Sequence, residues 1–219
     1  MDSFLASQHY VTVPTLQGSC TTSDATEPAT ADSARASIDV SILEALDAVQ
    51  LSDVELRLAS ANDLHYIEQY VYGLADHVNE VDAIHVNKEH YLIDGGFSNT
   101  APPLYKCLLL WDKEDERCCG MAVFYFGYDV ETGRFLYLED LFIDERFRGK
   151  GYGSLFMATL ALIAKRAGCA GFVWLALDWN TPSLNFYGKI GAKVLDGLLT
   201  TGFLGAGLKN FKDSRHSGV

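Results

Sequence analysis

Between Leu136 and Phe156 the chain reads LYLEDLFIDERFRGKGYGSLF: an apolar run, a basic glycine-rich turn, then a helix-forming segment. Within the turn, Arg148-Gly149-Lys150-Gly151-Tyr152-Gly153 places alternate glycines among basic side chains, with Arg146 just upstream. Glycine tolerates the positive φ angles that let successive backbone N–H groups converge on one point. Such N–H groups at a helix N-terminus bind anions, phosphates above all. The spacing predicts a pyrophosphate site. It excludes two commoner phosphate loops. A Walker A loop needs Gly-Lys followed by Ser or Thr, and here Gly151 follows Lys150. A dinucleotide fingerprint needs G-x-G-x-x-G in an early βαβ unit, whereas this chain has G-x-G-x-G late in its length.

Glu139 and Asp140 interrupt the apolar run that precedes the loop. Adjacent strand residues face opposite sides of a sheet, so one of the two faces a buried side unless a bulge intervenes. A buried carboxylate is costly unless it has partners or a task. A fitting task is to take a proton from an alkylammonium group, which is almost wholly protonated at neutral pH. The other reading is a carboxylate hydrogen-bonded to neighbouring backbone. About one helix and one strand further on, Trp179–Tyr187 reads WNTPSLNFY. Asn180 or Thr181 is a good N-cap, and Pro182 suits the first helical turn. By residue type alone, Tyr187 is a core tyrosine.

Together, YLEDLF, R-G-x-G-x-G-S and W-N-x-P-S-x-N-F-Y resemble the GNAT superfamily of acyl-CoA-dependent N-acetyltransferases. Within it they resemble the diamine (spermidine/spermine) and thialysine acetyltransferase branch. The likeness extends over residues 54–203 and includes FYFGYDVETGRFLYLED. It implies acetyl-CoA as cosubstrate. The pyrophosphate would be held by Arg148, Gly149, Lys150, Gly151, Tyr152 and Gly153. The pantetheine arm would lie along Leu141, Phe142 and Ile143, with Asn180 also on the cofactor. Glu139 would serve as base, and Asp140, Asp129 and Trp179 would attend the amine. Tyr187 would protonate the departing thiolate. The implied activity is acetyl transfer to a primary amine of a small cationic substrate, a polyamine or diamine, by direct attack in a ternary complex. Alternatives within the class are thialysine, a lysine-like amino acid or a protein lysine. A different class is a non-catalytic acyl-CoA sensor or a partner-binding protein acting through the acidic N-terminus; the Glu139/Tyr187 pair favours catalysis. The resemblance also implies a homodimer. Two places depart from the branch: His77-Val78, where it carries an aromatic–acid pair, and the short glycine-rich C-terminus.

These residues require a scaffold, and the apolar periodicity predicts one. VELRLAS is a strand, and Ser60 with Asp63 forms a capping-box-like start for a helix to about His77. A short helix is expected at 87–94, a hairpin at 104–111 and 118–128 around DKEDER, and a strand at 134–143. A helix at 151–167, a strand at 172–177, a helix at 181–190 and strands at 191–195 and 208–211 complete the pattern. The expected class is α/β: a mixed, mostly antiparallel sheet with helices on both faces. The expected organisation is an acidic, mostly disordered extension over 1–53 with a short helix near 40–50, a GNAT domain over 54–212, and a flexible tail over 213–219.

Composition sets the outer limits. The chain has 219 residues, 48% of them hydrophobic, enough for one domain with a substantial core. No apolar run approaches the roughly 18 residues a membrane span needs, and no secretory leader is apparent. The five cysteines are odd in number and lack metal-ligand spacing, so they read as reduced thiols in a cytoplasmic protein. His65, His77, His85 and His90 form no i,i+4 pair with a carboxylate, so no metal is expected. A net charge of −12 argues against nucleic acid as a main partner.

Overall fold

The computed structural model describes residues 8–12, 31–49, 51–98, 100 and 102–195. The chain begins with strand β1 (Gln8–Thr12) and helix α1 (Ala31–Ala48), then β2 (Val54–Leu58), α2 (Leu64–His77) and α3 (Lys88–Asp94). Three long strands follow: β3 (Lys106–Asp112), β4 (Arg117–Asp129) and β5 (Gly133–Ile143). The last described elements are α4 (Tyr152–Arg166), β6 (Gly171–Leu177), α5 (Thr181–Lys189) and β7 (Lys193–Leu195).

The strands form one sheet in the order β2-β3-β4-β5-β6-β1-β7. Every described pairing is antiparallel except β5–β6. That parallel step is made through α4, which returns the chain across the sheet as a crossover connection must. The near-continuous apolar run of β3, KCLLLWD, is that of a strand buried on both faces. Its Leu108 and Leu110 point to one core with Ile42 and Ala45 of α1 and Phe156, Leu160 and Ile163 of α4. Its Cys107 and Leu109 point to the other, with Leu64, Ile67 and Tyr70 of α2 and Tyr91 of α3.

The entry to α2 is held by charge. Arg57 donates from both terminal nitrogens to Asp63, at 2.8 Å each. Asp63 also accepts from Ser60 N at 2.8 Å and from its hydroxyl at 2.7 Å. These bonds, the Arg57 fork first, hold the buried Asp63 carboxyl far below the ordinary carboxylate range.

The N-terminal region departs from expectation. Helix α1 starts at Ala31 rather than near residue 40, and its stripe of Ile38, Ile42, Ala45, Leu46 and Val49 packs into the core. Asp39 accepts from Lys106 at 2.7 Å, and Glu44 from Arg166 at 2.9 Å. The alanines at 31, 34 and 36 offer little apolar surface to bury. Alanine is also the best helix former, so the helix extends upstream from its docked half. Upstream of it, β1 pairs with both β6 and β7, with Tyr10 opposite Leu175 and Leu195. Elements from residues assigned to an extension therefore belong to the sheet and core. Apart from β1, the part of the expected disordered extension that precedes residue 31 lies outside the described residues, as do the expected strand at 208–211 and tail at 213–219. Among the described residues no helix is long and apolar enough to cross a membrane.

Ile42 is 0% exposed. Ile42→Ala is expected to lower stability by about 2–4 kcal/mol, measured by denaturant unfolding, through lost burial and the cavity left behind. An unchanged midpoint would show α1 to be peripheral.

Candidate active site

The site originates in one irregularity of β5. Opposite β4, Phe124 pairs with Leu138 and Val123 with Asp140, so Glu139 is an extra residue without a partner. It is a β-bulge, which disrupts pairing locally and re-aims side chains. On the other side of β5, pairing with β6 ends at Leu138↔Trp174. Beyond that point the strands part, and a cleft of about 1290 Å³ opens between Leu138–Ile143 and Trp174–Leu177. Loop 148–153, the start of α5 and the α2–α3 connection complete its walls.

At one end lies the glycine-rich loop. Gly149 and Gly151 have φ of +79° and +84°, and a Cβ on either would meet nothing within 4 Å. Their requirement for glycine is therefore one of backbone conformation, not space. Gly153 differs: a Cβ there would sit 3.4 Å from the Phe186 ring of α5. The first intrahelical bond of α4 runs from Leu155 N–H to Gly151 O. The N–H groups of residues 152–154 thus precede the helical ladder, as at every helix start. Arg148 is fixed beside them. Its Nε donates to Ile143 O at 3.0 Å, its Nη1 to Glu145 at 3.1 Å, and its Cζ lies 5.8 Å from the Phe142 ring.

Midway stand the carboxylates. Glu139 and Asp140 both line the cleft, and neither accepts a hydrogen bond among the described residues. The alternative of a carboxylate engaged with neighbouring backbone is not what the bulge shows. Desolvation raises the Glu139 pKa. Desolvation first, and the Glu139 charge second, push Asp140 up to about 6. Asp140 is half-buried and Glu139 is exposed. Both carboxylates of the bulge, Glu139 and Asp140, are therefore raised toward neutrality and stand in the cleft as candidate bases. The bulge that makes this so changes the parity of every later β5 residue.

Opposite them, Asn180 caps α5 by accepting from Ser183 N at 3.3 Å, and it also lines the cleft. Its amide hydrogens make no bond among the described residues. Tyr187 packs its ring against Trp174, with centroids 5.1 Å apart, and against Phe186 at 5.4 Å. Its hydroxyl has no described partner, and desolvation alone pushes its pKa up to about 12. Trp174, 1% exposed, forms the apex floor with an unpartnered indole N–H.

Of the expected site residues, the cleft collects Glu139, Asp140, Leu141, Phe142, Ile143, Arg148, Gly149, Gly151, Tyr152, Gly153, Asn180 and Tyr187. Three fall elsewhere. Lys150 turns its ammonium toward the Phe147 and Tyr152 rings, at 5.2 and 6.0 Å. Trp179 is 51% exposed ahead of α5 and lines no part of the cleft. Asp129 closes the β4–β5 turn, accepting from Glu131 N, Thr132 N and the Thr132 hydroxyl at 2.7–2.9 Å. It is a turn residue whose three acceptor bonds are already made. Trp174, Ser183, Phe186 and His85 were not anticipated as wall residues. His77, at one of the departures from the branch, and nearby Glu80 both line the cleft. Of the described cysteines none lines it, and burial raises the thiol pKa of Cys107, Cys118, Cys119 and Cys169.

The Acetyltransferase (GNAT) family profile matches residues 71–192, from the middle of α2 to the threshold of β7, and the chain belongs to that family. It is an N-acetyltransferase by this membership and by its relatives. A thialysine N-epsilon-acetyltransferase of Sus scrofa is 31% identical over 151 residues, covering 66% of this chain and 87% of the relative. A spermidine/spermine N(1)-acetyltransferase-like protein 1 of Homo sapiens is 32% identical over 143 residues, 63% of this chain and 20% of the longer relative. Among solved structures, an integron cassette protein from the mobile metagenome of V. cholerae shares the fold. It has a TM-score of 0.60 at 23% identity, covering 73% of this chain and 97% of its own.

Glycines of the site differ in what fixes them. Gly151→Ala should cost about 1–2 kcal/mol, the strain of a left-handed non-glycine residue. Gly120→Ala should cost more, because its Cβ would lie 2.4 Å from the Phe142 carbonyl oxygen across the β4–β5 ladder. Thermal unfolding of the two variants checks the order.

Proposed function

We propose that this enzyme transfers acetyl from acetyl-CoA to a primary amine of a small cationic substrate, a diamine or polyamine, by direct attack in a ternary complex. The observation that carries the reading is the pair of unbonded carboxylates on the β5 bulge, between the anion-binding loop and Tyr187 in one cleft. The cleft suits an acyl-CoA. Unpaired N–H groups at the start of α4 and the Arg148 guanidinium suit its pyrophosphate. The β5 edge facing the gap suits an extended amide arm, and the buried indole N–H of Trp174 is a donor awaiting an acceptor. Bound there, acetyl-CoA supplies an acyl group already activated as a thioester. Covalent cysteine catalysis is not required, and the buried thiols are poor nucleophiles.

Asp140, near pH 6 in its titration, accepts the proton of the incoming ammonium directly or through water. Glu139, Asp140 and Glu80 together give the cleft three carboxylates with which to draw a cation. Backbone N–H groups of the β5 edge polarise the thioester carbonyl as its oxygen gains charge. Tyr187, neutral at physiological pH, donates to the departing sulfur. The names of the relatives, a thialysine and a spermidine/spermine acetyltransferase-like enzyme, support an amine acceptor. The reading extends to a cytoplasmic homodimer, supported by the branch resemblance and by unpaired thiols within the fold.

An acetyl-CoA-dependent thiol-release assay over diamines, polyamines, thialysine, lysine and ornithine tests the proposal. Acyl-CoA binding with no turnover on any of them would favour a sensor. For the active amine, kcat/KM should rise with pH through an enzyme group near 6. The sign follows from Asp140: below about 6 it is protonated and accepts nothing, and above it the carboxylate is free to act. Asp140→Asn should abolish that limb and lower kcat about 100-fold or more, the usual size of a general-base contribution. Tyr187→Phe should reduce kcat about tenfold while leaving the Kd for acetyl-CoA within about twofold, as for a contact made mainly in the transition state. Unchanged turnover would remove Tyr187 from the mechanism.

A further inference from the structure

A second, smaller cavity of about 190 Å³ lies on the α2 face, at the same end of the sheet as the glycine-rich loop. It is lined by Tyr66, Gln69 and Tyr70 of α2, by Arg117 and Cys118 at the start of β4, and by Arg146. Two arginines share this space in a chain whose net charge is −12. Arg146 is oriented by Asp144, donating from Nε at 3.0 Å and from Nη2 at 2.6 Å. Its Nη1 makes no hydrogen bond among the described residues. Arg117 has no described side-chain partner. Its cross-strand neighbour Asp112 is engaged in the β3–β4 turn, accepting from Glu114 N and Asp115 N. Asp144 balances one guanidinium and the other stays uncompensated, beside the polar ends of Tyr66 and Gln69. Two guanidinium groups lining one cavity, with a single acid engaged by one of them, leave a net positive charge that suits a phosphate, which takes paired N–H donors.

The cavity is one aromatic layer from the cleft. Tyr70 forms its wall, and the Tyr70 ring lies 5.3 Å from the Phe142 ring, which lines the cleft. Arg148 sits over the same Phe142 ring. In acetyl-CoA the 3′-phosphate is separated from the pyrophosphate by one ribose. We propose that Arg117 and Arg146 form a phosphate-monoester subsite that takes the 3′-phosphate of the acyl-CoA. Arg146 and Arg148, two residues apart, then serve adjacent phosphates of one ligand from opposite sides of Phe142. The proposal rests on the acyl-CoA reading of the main cleft.

Calorimetric titration with acetyl-CoA and with 3′-dephospho-acetyl-CoA tests it. Wild-type protein should bind the phosphorylated thioester about tenfold more tightly, the usual return on a charge-assisted contact of this kind. In Arg117→Gln that preference should collapse to about twofold or less, while Arg117→Lys should keep part of it. Adenosine 3′,5′-bisphosphate should compete with acetyl-CoA for the wild type. Competition by inorganic phosphate alone, with no preference between the thioesters, would assign the pocket to a free phosphate and overturn the proposal. So would equal binding of both thioesters by the wild type, or an Arg117→Gln variant that keeps the full preference. Wild-type protein that binds neither thioester would instead overturn the acyl-CoA reading, and the subsite with it.

Discussion

The active site depends on one extra residue in a strand. Up to Leu138, β5 is an ordinary central strand, with Leu136 and Leu138 in the core beneath α1 and α4. If the alternation continued, Asp140 and Phe142 would enter that same apolar core. The bulge at Glu139 shifts the parity, so Leu141 and Ile143 take the α4 side and Phe142 goes to the α2 side. A carboxylate that would have been costly in the core is thereby delivered to the cleft wall. The same irregularity falls where β5 and β6 cease to pair, so the gap and the charge that uses it share one cause. Bulges bend strands and weaken their ladders, and here the weakness is the binding site.

Charge follows the same geometry. The chain is acidic as a whole, yet Arg146, Arg148 and Lys150 cluster around the glycine-rich turn proposed to face phosphate. Further along the cleft the sign reverses, with Glu139, Asp140 and Glu80 facing the space where an amine would arrive. An anionic ligand entering at the loop end and a cationic one entering at the other are each steered to their own place. The separation is also chemical: were the basic turn beside Asp140, its charges would pull the carboxyl pKa down and spoil it as a base.

Much of this was legible in the residues. Positive φ at Gly149 and Gly151 follows directly from alternate glycines in a strand-to-helix turn, and the strand and helix limits from apolar periodicity. A bulge was allowed for at Glu139–Asp140, but periodicity does not say which residue is extra, so which of the two faces the α2 side of the sheet appears only from the strand register. Asp129 and Trp179 were carried over by position within a motif. The turn satisfies Asp129 with its own backbone, and no short-range signal in the string reveals that. Trp174 escaped notice because an aromatic residue in an apolar strand looks like core, and nothing in the string shows that its indole N–H goes unpartnered. The N-terminal strand and helix escaped for a related reason. Their stability comes from partners far along the chain, β6 and α4, which local composition does not report.

Burial acts on both sides of the proposed proton economy, and not equally. Desolvation lifts the Asp140 carboxyl to about 6, close to working pH, where it can both release and accept a proton. The same desolvation lifts the Tyr187 phenol to about 12, away from it. Against a thiol of ordinary acidity near 8.5, outright proton transfer from that phenol runs uphill. In the proposed mechanism a tyrosine so placed would act as a hydrogen-bond donor to sulfur while negative charge develops, and full transfer would wait until a proton from the acylated nitrogen restores the phenol. On the proposed reading the site is tuned for deprotonating the nucleophile and only shaped for the leaving group. That asymmetry suits the substrates: an alkylammonium must lose its proton before it can attack, whereas a thiolate is already a competent leaving group.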